Sequence, residues 1–139
     1  MHNQKILPAV EKLKPKILII DDSDDMRHMI SLVLEQRGFE TFEAGDATEA
    51  VAVILKNKID LLIADYFVPG TTGVQIVSSI TGLLGAQLPV IVVSSCDRPE
   101  IMRAANDAGL STWIPKPVDC DHLVRTINAM LATKTAADL

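Results

Sequence analysis

"KILIIDDSDD", residues Lys16 to Asp25, runs an aliphatic stretch straight into four carboxylates within five positions. A short, wholly apolar run reads as a strand buried on both faces, the kind found in parallel sheets. Two carboxylates about 4 Å apart repel by roughly 4 kcal/mol at an effective dielectric near 20. Such crowding is relieved by solvation, by raised pKa values or by a cation. Each remedy implies a different function, and the rest of the chain has to choose.

Working outward, strand-like and helix-like stretches alternate regularly. Met26, Met29, Ile30, Val33 and Leu34 fall on one helical face that closes at Gly38. "FETFEA" (39–44) alternates as a strand should. Asp46 and Glu49 form a capping-box pattern before a second stripe of Ala47, Ala50, Val51, Ile54 and Leu55. "IDLLIAD" (59–65) is the second buried run, and "VPGTTG" (68–73) is a turn-rich loop. Ile76, Val77, Ile80, Leu83 and Leu84 suit a third helix, and "LPVIVVSS" (88–95) is the most apolar strand. A helix from Pro99 to about Ala108, a short strand "STWI" (111–114) and an amphipathic helix from Val118 to about Ala132 complete five strand–helix repeats. This pattern predicts an α/β fold, a five-stranded parallel sheet with helices on both faces.

At 139 residues, the chain is the size of one domain. It is 48% hydrophobic but only 4% aromatic, so the core must be mainly aliphatic. The net charge of -5, with no Lys/Arg run longer than a pair, argues against a nucleic-acid footprint. No apolar run approaches the ~18 residues of a spanning helix, and no membrane association is expected. The start "MHNQKILPAV" lacks the apolar core of a signal peptide, and Cys96 and Cys120 form no disulfide framework. The expected location is cytoplasmic. The expected organisation is an N-terminal extension over 1–15, a domain over 16–132 and a C-terminal tail over 133–139. Ile6, Val10 and Leu13 could pack as a short helix within the extension.

Ligands of doubly wound sheets bind outside the carboxyl ends of the strands. Asp21 and Asp22 follow the first apolar run, Asp65 the third, Ser94 and Ser95 the fourth, and Lys116 and Pro117 the fifth. Three carboxylates, a hydroxyl and an amine should therefore meet at one edge. Clustered carboxylates are hard oxygen ligands suited to Mg²⁺, with Mn²⁺ as the alternative ion, rather than to zinc. A metal beside a carboxylate nucleophile, with a lysine opposite, is equipment for moving a phosphoryl group.

The stretches "ILIIDD", "LLIADYFVPGTTG", "PVIVVSS" and "WIPKP", in this order and spacing, resemble the receiver domain of two-component response regulators. The resemblance covers about Lys16 to Ala132 and implies a flavodoxin-like strand order 2-1-3-4-5. It implies that Asp65 is the phosphoacceptor for a histidine kinase or histidine phosphotransfer protein. Asp22 would ligate Mg²⁺ directly, Asp21 through water, and the backbone carbonyl of Phe67 would complete the protein ligands. Ser94 would hydrogen-bond the phosphoryl oxygens, Lys116 would pair with the phosphoryl group, and Lys116–Pro117 would be cis. Trp113 stands at the aromatic switch position, usually Tyr or Phe. A downstream protein would dock on the face of the fourth helix, fifth strand and fifth helix, with no DNA-binding output. The domain would catalyse only its own phosphorylation and dephosphorylation. Phe67 and Cys96, which flank the approach of water in this family, imply a slowly lost phosphoryl group.

Plainer roles suit other residues. Asp24 and Asp25 open a helix, where negative charge is favoured. His2, His28 and His122 match no ligand spacing and belong on the surface. Ser95 is a small packing residue, and Asp97 a loop or capping residue. An aspartate-nucleophile phosphatase would share the Asp22-x-Asp24 spacing but needs a cap domain and further acids. A flavodoxin would need a hydroxyl- and glycine-rich phosphate loop where this chain carries carboxylates. A receiver-like module acting without phosphorylation is the remaining alternative.

Overall fold

The computed structural model describes residues 14–69, 71–72, 75–76, 78–79, 88–95, 98–107 and 112–138. In chain order these form β1 (Lys16–Ile20), α1 (Asp24–Gln36), β2 (Glu40–Ala44), α2 (Ala47–Lys56), β3 (Leu61–Ala64), β4 (Phe67–Val68), β5 (Thr71–Thr72), β6 (Val90–Ser94), α3 (Pro99–Asp107), β7 (Trp113–Pro115) and α4 (Cys120–Asp138). Five strands make one sheet in the order β2-β1-β3-β6-β7, every pair parallel. With the small β4–β5 hairpin set aside, this is the expected 2-1-3-4-5 order. The hairpin overlaps the loop predicted at "VPGTTG" and begins one residue before it, with Phe67 and Val68 pairing antiparallel with Thr72 and Thr71.

Alternation along the strands divides the core in two. Leu18 and Ile20 join Leu62, Ala64, Val90 and Val92 on one face, covered by Ala50 and Ile54 of α2 and by Ile76. Ile17 and Ile19 join Leu61, Ile63, Ile91 and Val93 on the other, covered by Ile30 and Leu34 of α1 and Leu123, Val124 and Ile127 of α4. A strand flanked by helices on both faces has no polar side, which is why the runs read as unbroken aliphatic sequence.

The helix ends are specified locally. Ser23 caps α1, its hydroxyl accepting from the Met26 amide at 3.3 Å, while Asp24 and Asp25 occupy the first turn. Gly38, at φ +94°, adopts the left-handed conformation past the end of α1, where a side chain is unfavourable. Asp46 caps α2 by accepting from the Glu49 amide at 2.8 Å. The return bond of this capping box goes to the Gly45 amide, at 2.6 Å, rather than to Asp46.

Two predicted stripes need correction. Met29 and Leu55 are 42% and 65% exposed, although both belong to the predicted apolar stripes. Each lies one residue, about 100° of helix rotation, from a buried neighbour, Ile30 or Ile54. α4 also runs to Asp138, beyond the end expected near Ala132. The apolar stripe stops at Leu131, but the alanines that follow carry the highest helix propensity. In the third predicted helix, residues 75, 76, 78 and 79 are helical and Ile76 is buried. Val77, Ile80, Leu83 and Leu84 lie outside the described residues, as do Ile6, Val10, Leu13, Cys96 and Asp97.

Pro115 needs no ladder donor. β7 is the sheet edge, and its pairing with β6 is flanked by bonds to β6 from the Thr112 carbonyl, at 2.9 Å, and the Lys116 amide, at 3.1 Å. Pro115, between them in alternation, turns its missing N–H to the open side.

The two neighbouring α2 positions test this packing. Ile54→Ala should cost 2–5 kcal/mol, as for a buried aliphatic truncated in a close-packed core. Leu55→Ala should stay within about 0.5 kcal/mol of the parent. Urea denaturation of both variants measures the difference, and comparable losses would contradict the assigned face.

Candidate functional site

The parallel register brings the ends of β1, β3, β6 and β7 level. The Asp65 amide donates to the Ile20 carbonyl at 3.0 Å, the Asp21 amide to Ala44 at 3.2 Å, and the Lys116 amide to Ser94 at 3.1 Å. Each backbone bond carries the strand ladder one residue past the sheet, where the next side chain faces the edge. The predicted residues Asp21, Asp22, Asp65 and Lys116 therefore meet. One carboxylate oxygen from each of Asp21, Asp22 and Asp65 lies within 4.8 Å of the others.

The Lys116 ammonium donates to Asp65 Oδ2 at 2.8 Å and to Asp21 Oδ2 at 3.1 Å. The lysine side chain is 18% exposed, against 5% for Asp21 and 13% for Asp65. Burial acts to lower the lysine pKa, but the hydrogen bonds and charges of Asp65 and Asp21 outweigh it and hold it above its ordinary value. Asp21 Oδ1 accepts from the Ser23 amide at 2.9 Å, so both its oxygens are engaged. Asp65 Oδ1 accepts from the Phe67 amide at 3.2 Å. Asp22 is exposed and its carboxylate has no hydrogen-bond or ion-pair partner among the described residues. This donor set fits a hard divalent cation: clustered carboxylate oxygens, one of them uncommitted.

The remaining predicted positions are also close to the edge. Ser94 ends β6 and is buried, while Ser95 is exposed. The Lys116–Pro117 peptide is cis. Phe67 opens the hairpin with its side chain 53% exposed. Trp113 packs at the edge of the α2-side core, its indole Nε1 buried without a hydrogen-bond partner among the described residues. His28 is exposed near Glu43, and His122 is exposed at the start of α4.

Two participants were not singled out in the sequence. Tyr66 contacts two other rings, edge-to-face with Phe67 at a centroid distance of 4.9 Å and tilted against Trp113 at 5.7 Å. Arg27 donates to the Asp21 main-chain oxygen at 2.6 Å, to Asp24 Oδ1 at 2.6 Å and to Glu43 Oε1 at 3.0 Å. Burial opposes its charge, yet hydrogen bonds to Asp24 and Glu43 raise its pKa overall. A cation near a helix N-terminus is unfavourable by itself, and that was the available signal.

Residues 17–128 match the response regulator receiver domain family. The chain belongs to that family. It is 32% identical over 116 residues to the phosphate regulon transcriptional regulatory protein PhoB of Pseudomonas aeruginosa, covering 83% of this chain and 51% of that protein. It therefore spans about half of PhoB. Protein PilH of the same organism is 31% identical over 118 residues, covering 84% of this chain and 98% of PilH. The solved CheY-like receiver of Methanospirillum hungatei superposes with a TM-score of 0.82 at 25% identity, covering 89% of this chain and 98% of that one. The fold is the CheY-type, flavodoxin-like one. Receiver domains work with histidine kinases and phosphotransfer proteins in two-component signalling and are generally Mg²⁺-dependent. Among the described residues no helix is long and apolar enough to cross a membrane.

The receiver's lysine bridge has a measurable pH signature. A lysine whose pKa rises on folding contributes stability that is complete below its unfolded value, about 10.4. That contribution disappears as pH climbs through the higher folded value. Lys116→Met leaves Asp21 buried beside Asp65 without its counter-charge and should cost about 3 kcal/mol at pH 7 without metal. The gap between parent and variant should narrow above about pH 10.4 as the parent lysine deprotonates. Urea denaturation from pH 7 to 11 checks this, and a gap that widens with pH would contradict it.

Proposed function

We propose that Asp65 accepts a phosphoryl group from a phosphohistidine on a histidine kinase or histidine phosphotransfer protein, and that the phosphorylated domain signals by protein contact. The carrying observation is the Lys116 ammonium 2.8 Å from Asp65, beside the uncommitted carboxylate of Asp22.

In this reading an Asp65 oxygen attacks phosphorus, the phosphorus–nitrogen bond breaks, and the departing imidazole takes a proton from solvent. Lys116 exchanges part of its contact with Asp65 for the incoming phosphoryl oxygens, keeping a positive charge where negative charge gathers. The Ser94 hydroxyl donates to another of those oxygens. Asp22, Asp65 and the Phe67 carbonyl would hold Mg²⁺, or Mn²⁺ in its place, with Asp21 contributing through water. The engagement of both Asp21 oxygens supports that indirect role. A bound divalent ion would neutralise charge on the transferring phosphoryl group. The half-exposed Phe67 ring at the lip of the site supports slow loss of the phosphoryl group.

Ser94 and Trp113 form the proposed switch. The indole lacks a hydrogen bond among the described residues and is held there by packing, so turning it breaks no polar contact. The face formed by α3, β7 and α4 is the proposed docking surface for a downstream protein. A cytoplasmic location fits both proposed partners.

A small acyl phosphate with Mg²⁺ should add one phosphoryl mass to the parent and none to Asp65→Asn, read by intact-mass spectrometry. Equal modification of both proteins would overturn Asp65 as acceptor. Beryllofluoride with Mg²⁺ should shift the emission of Trp113, the only tryptophan, and Ser94→Ala should weaken the shift. An unchanged spectrum with the mimic bound would remove Trp113 from the switch.

A further inference from the structure

Of the four acids in the Asp21–Asp25 segment, Asp21 and Asp24 are each paired with a side-chain cation. Lys116 engages Asp21 from the far side of the sheet. Arg27 reaches the same segment from within α1, through a different atom. Its Nη1 donates at 2.6 Å to the main-chain oxygen of Asp21, which belongs to the peptide linking Asp21 to Asp22. Nη2 binds Asp24 at 2.6 Å on the other side of Ser23, and Nε is anchored to Glu43 on β2 at 3.0 Å. The side chain is only 14% exposed. Gly45 borders its seat: a Cβ there would stand 3.4 Å from Nη1 and 3.1 Å from the Glu49 carboxylate that holds the Gly45 amide. Three donors of one planar group are thus committed to three acceptors, one in β2 and two in the acidic segment. Only a guanidinium offers that fork.

We infer that Arg27 is a positioning residue: it clamps the Asp21–Asp22 peptide to β2 and so holds the Asp22 carboxylate toward Asp65 in the geometry that receives Mg²⁺. The inference rests on the metal reading given above. Asp22 has no partner of its own among the described residues, so the peptide that carries it is what limits its motion. Groups that orient metal ligands are commonly worth 10–100-fold in metal affinity.

The sign of the effect separates clamping from simple charge. Removing a nearby cation, by electrostatics alone, should tighten binding of Mg²⁺. Removing a clamp should loosen it. Arg27→Met keeps the apolar stem and loses charge and fork together, whereas Arg27→Lys keeps the charge and loses the fork. Calorimetric titration of the full unphosphorylated chain with MgCl₂ reads the affinity directly, and metal-free thermal melts report whether each variant is folded. Both variants should bind Mg²⁺ about tenfold more weakly than the parent. Arg27→Lys, for which charge alone predicts no change, carries the test by itself if Arg27→Met does not fold. Parent-like affinity in Arg27→Lys, or tighter binding in Arg27→Met, would overturn the positioning role. A parent that binds no Mg²⁺ would overturn the metal reading itself, and the clamp with it.

Discussion

The Lys116 ammonium, shared between Asp65 and Asp21, is the interaction around which the edge of the sheet is arranged. It joins residues 51 and 95 positions apart in the chain. Two carboxylates at that spacing would repel one another in a partly buried setting, and the lysine turns the repulsion into attraction. The same contact makes the edge chemically responsive. In the proposed transfer, an arriving phosphoryl group would compete for a cation already poised on Asp65, so the change in charge there would be felt at the end of β7.

The crowding of acids in "DDSDD" has a divided answer. Internal cations take part of it: Lys116 holds Asp21, and Arg27 holds Asp24 together with Glu43. Helix α1 takes another part, since Asp24 and Asp25 occupy its first turn, where exposed amides favour negative charge. Asp22 is left exposed, with no hydrogen-bond or ion-pair partner among the described residues. That leftover charge differs from Asp21 and Asp24 in having uncommitted oxygens, which is what a hard divalent cation would require. Neutralising everything internally would give a more stable edge and no site.

Beside this polar edge runs a short aromatic series, Phe67, Tyr66 and Trp113, from the half-exposed lip of the hairpin to the core below β7. In a mainly aliphatic core, these rings are large, rigid bodies close to Asp65. The indole is packed but has no hydrogen-bond partner among the described residues, a costly arrangement for a buried donor, on the order of 1–3 kcal/mol. A contact held by shape alone is easier to rearrange than one fixed by a polar bond.

The parallel sheet and the convergence of Asp21, Asp22, Asp65 and Lys116 were legible in the sequence because they follow from one-dimensional signals, whereas the strand order came from the family resemblance. Apolar runs mark doubly buried strands, and sheet topology carries the residue after each run to a common edge. Helix faces were readable only to within one residue, as Met29 and Leu55 show, because 100° of rotation separates core from solvent while both positions remain apolar. The end of α4 was hidden for a different reason: its last turns depend on alanine propensity and not on an amphipathic stripe. The partners of Arg27 outside its own helix were beyond the sequence. Asp24 lies three residues away on the same helix, but Glu43 becomes a neighbour only when β2 pairs with β1, and the Asp21 carbonyl only when the loop turns back over α1. Period and propensity act along the chain and can be read there; a guanidinium's choice among acceptors is made in three dimensions, by distance and desolvation, after the sheet has formed.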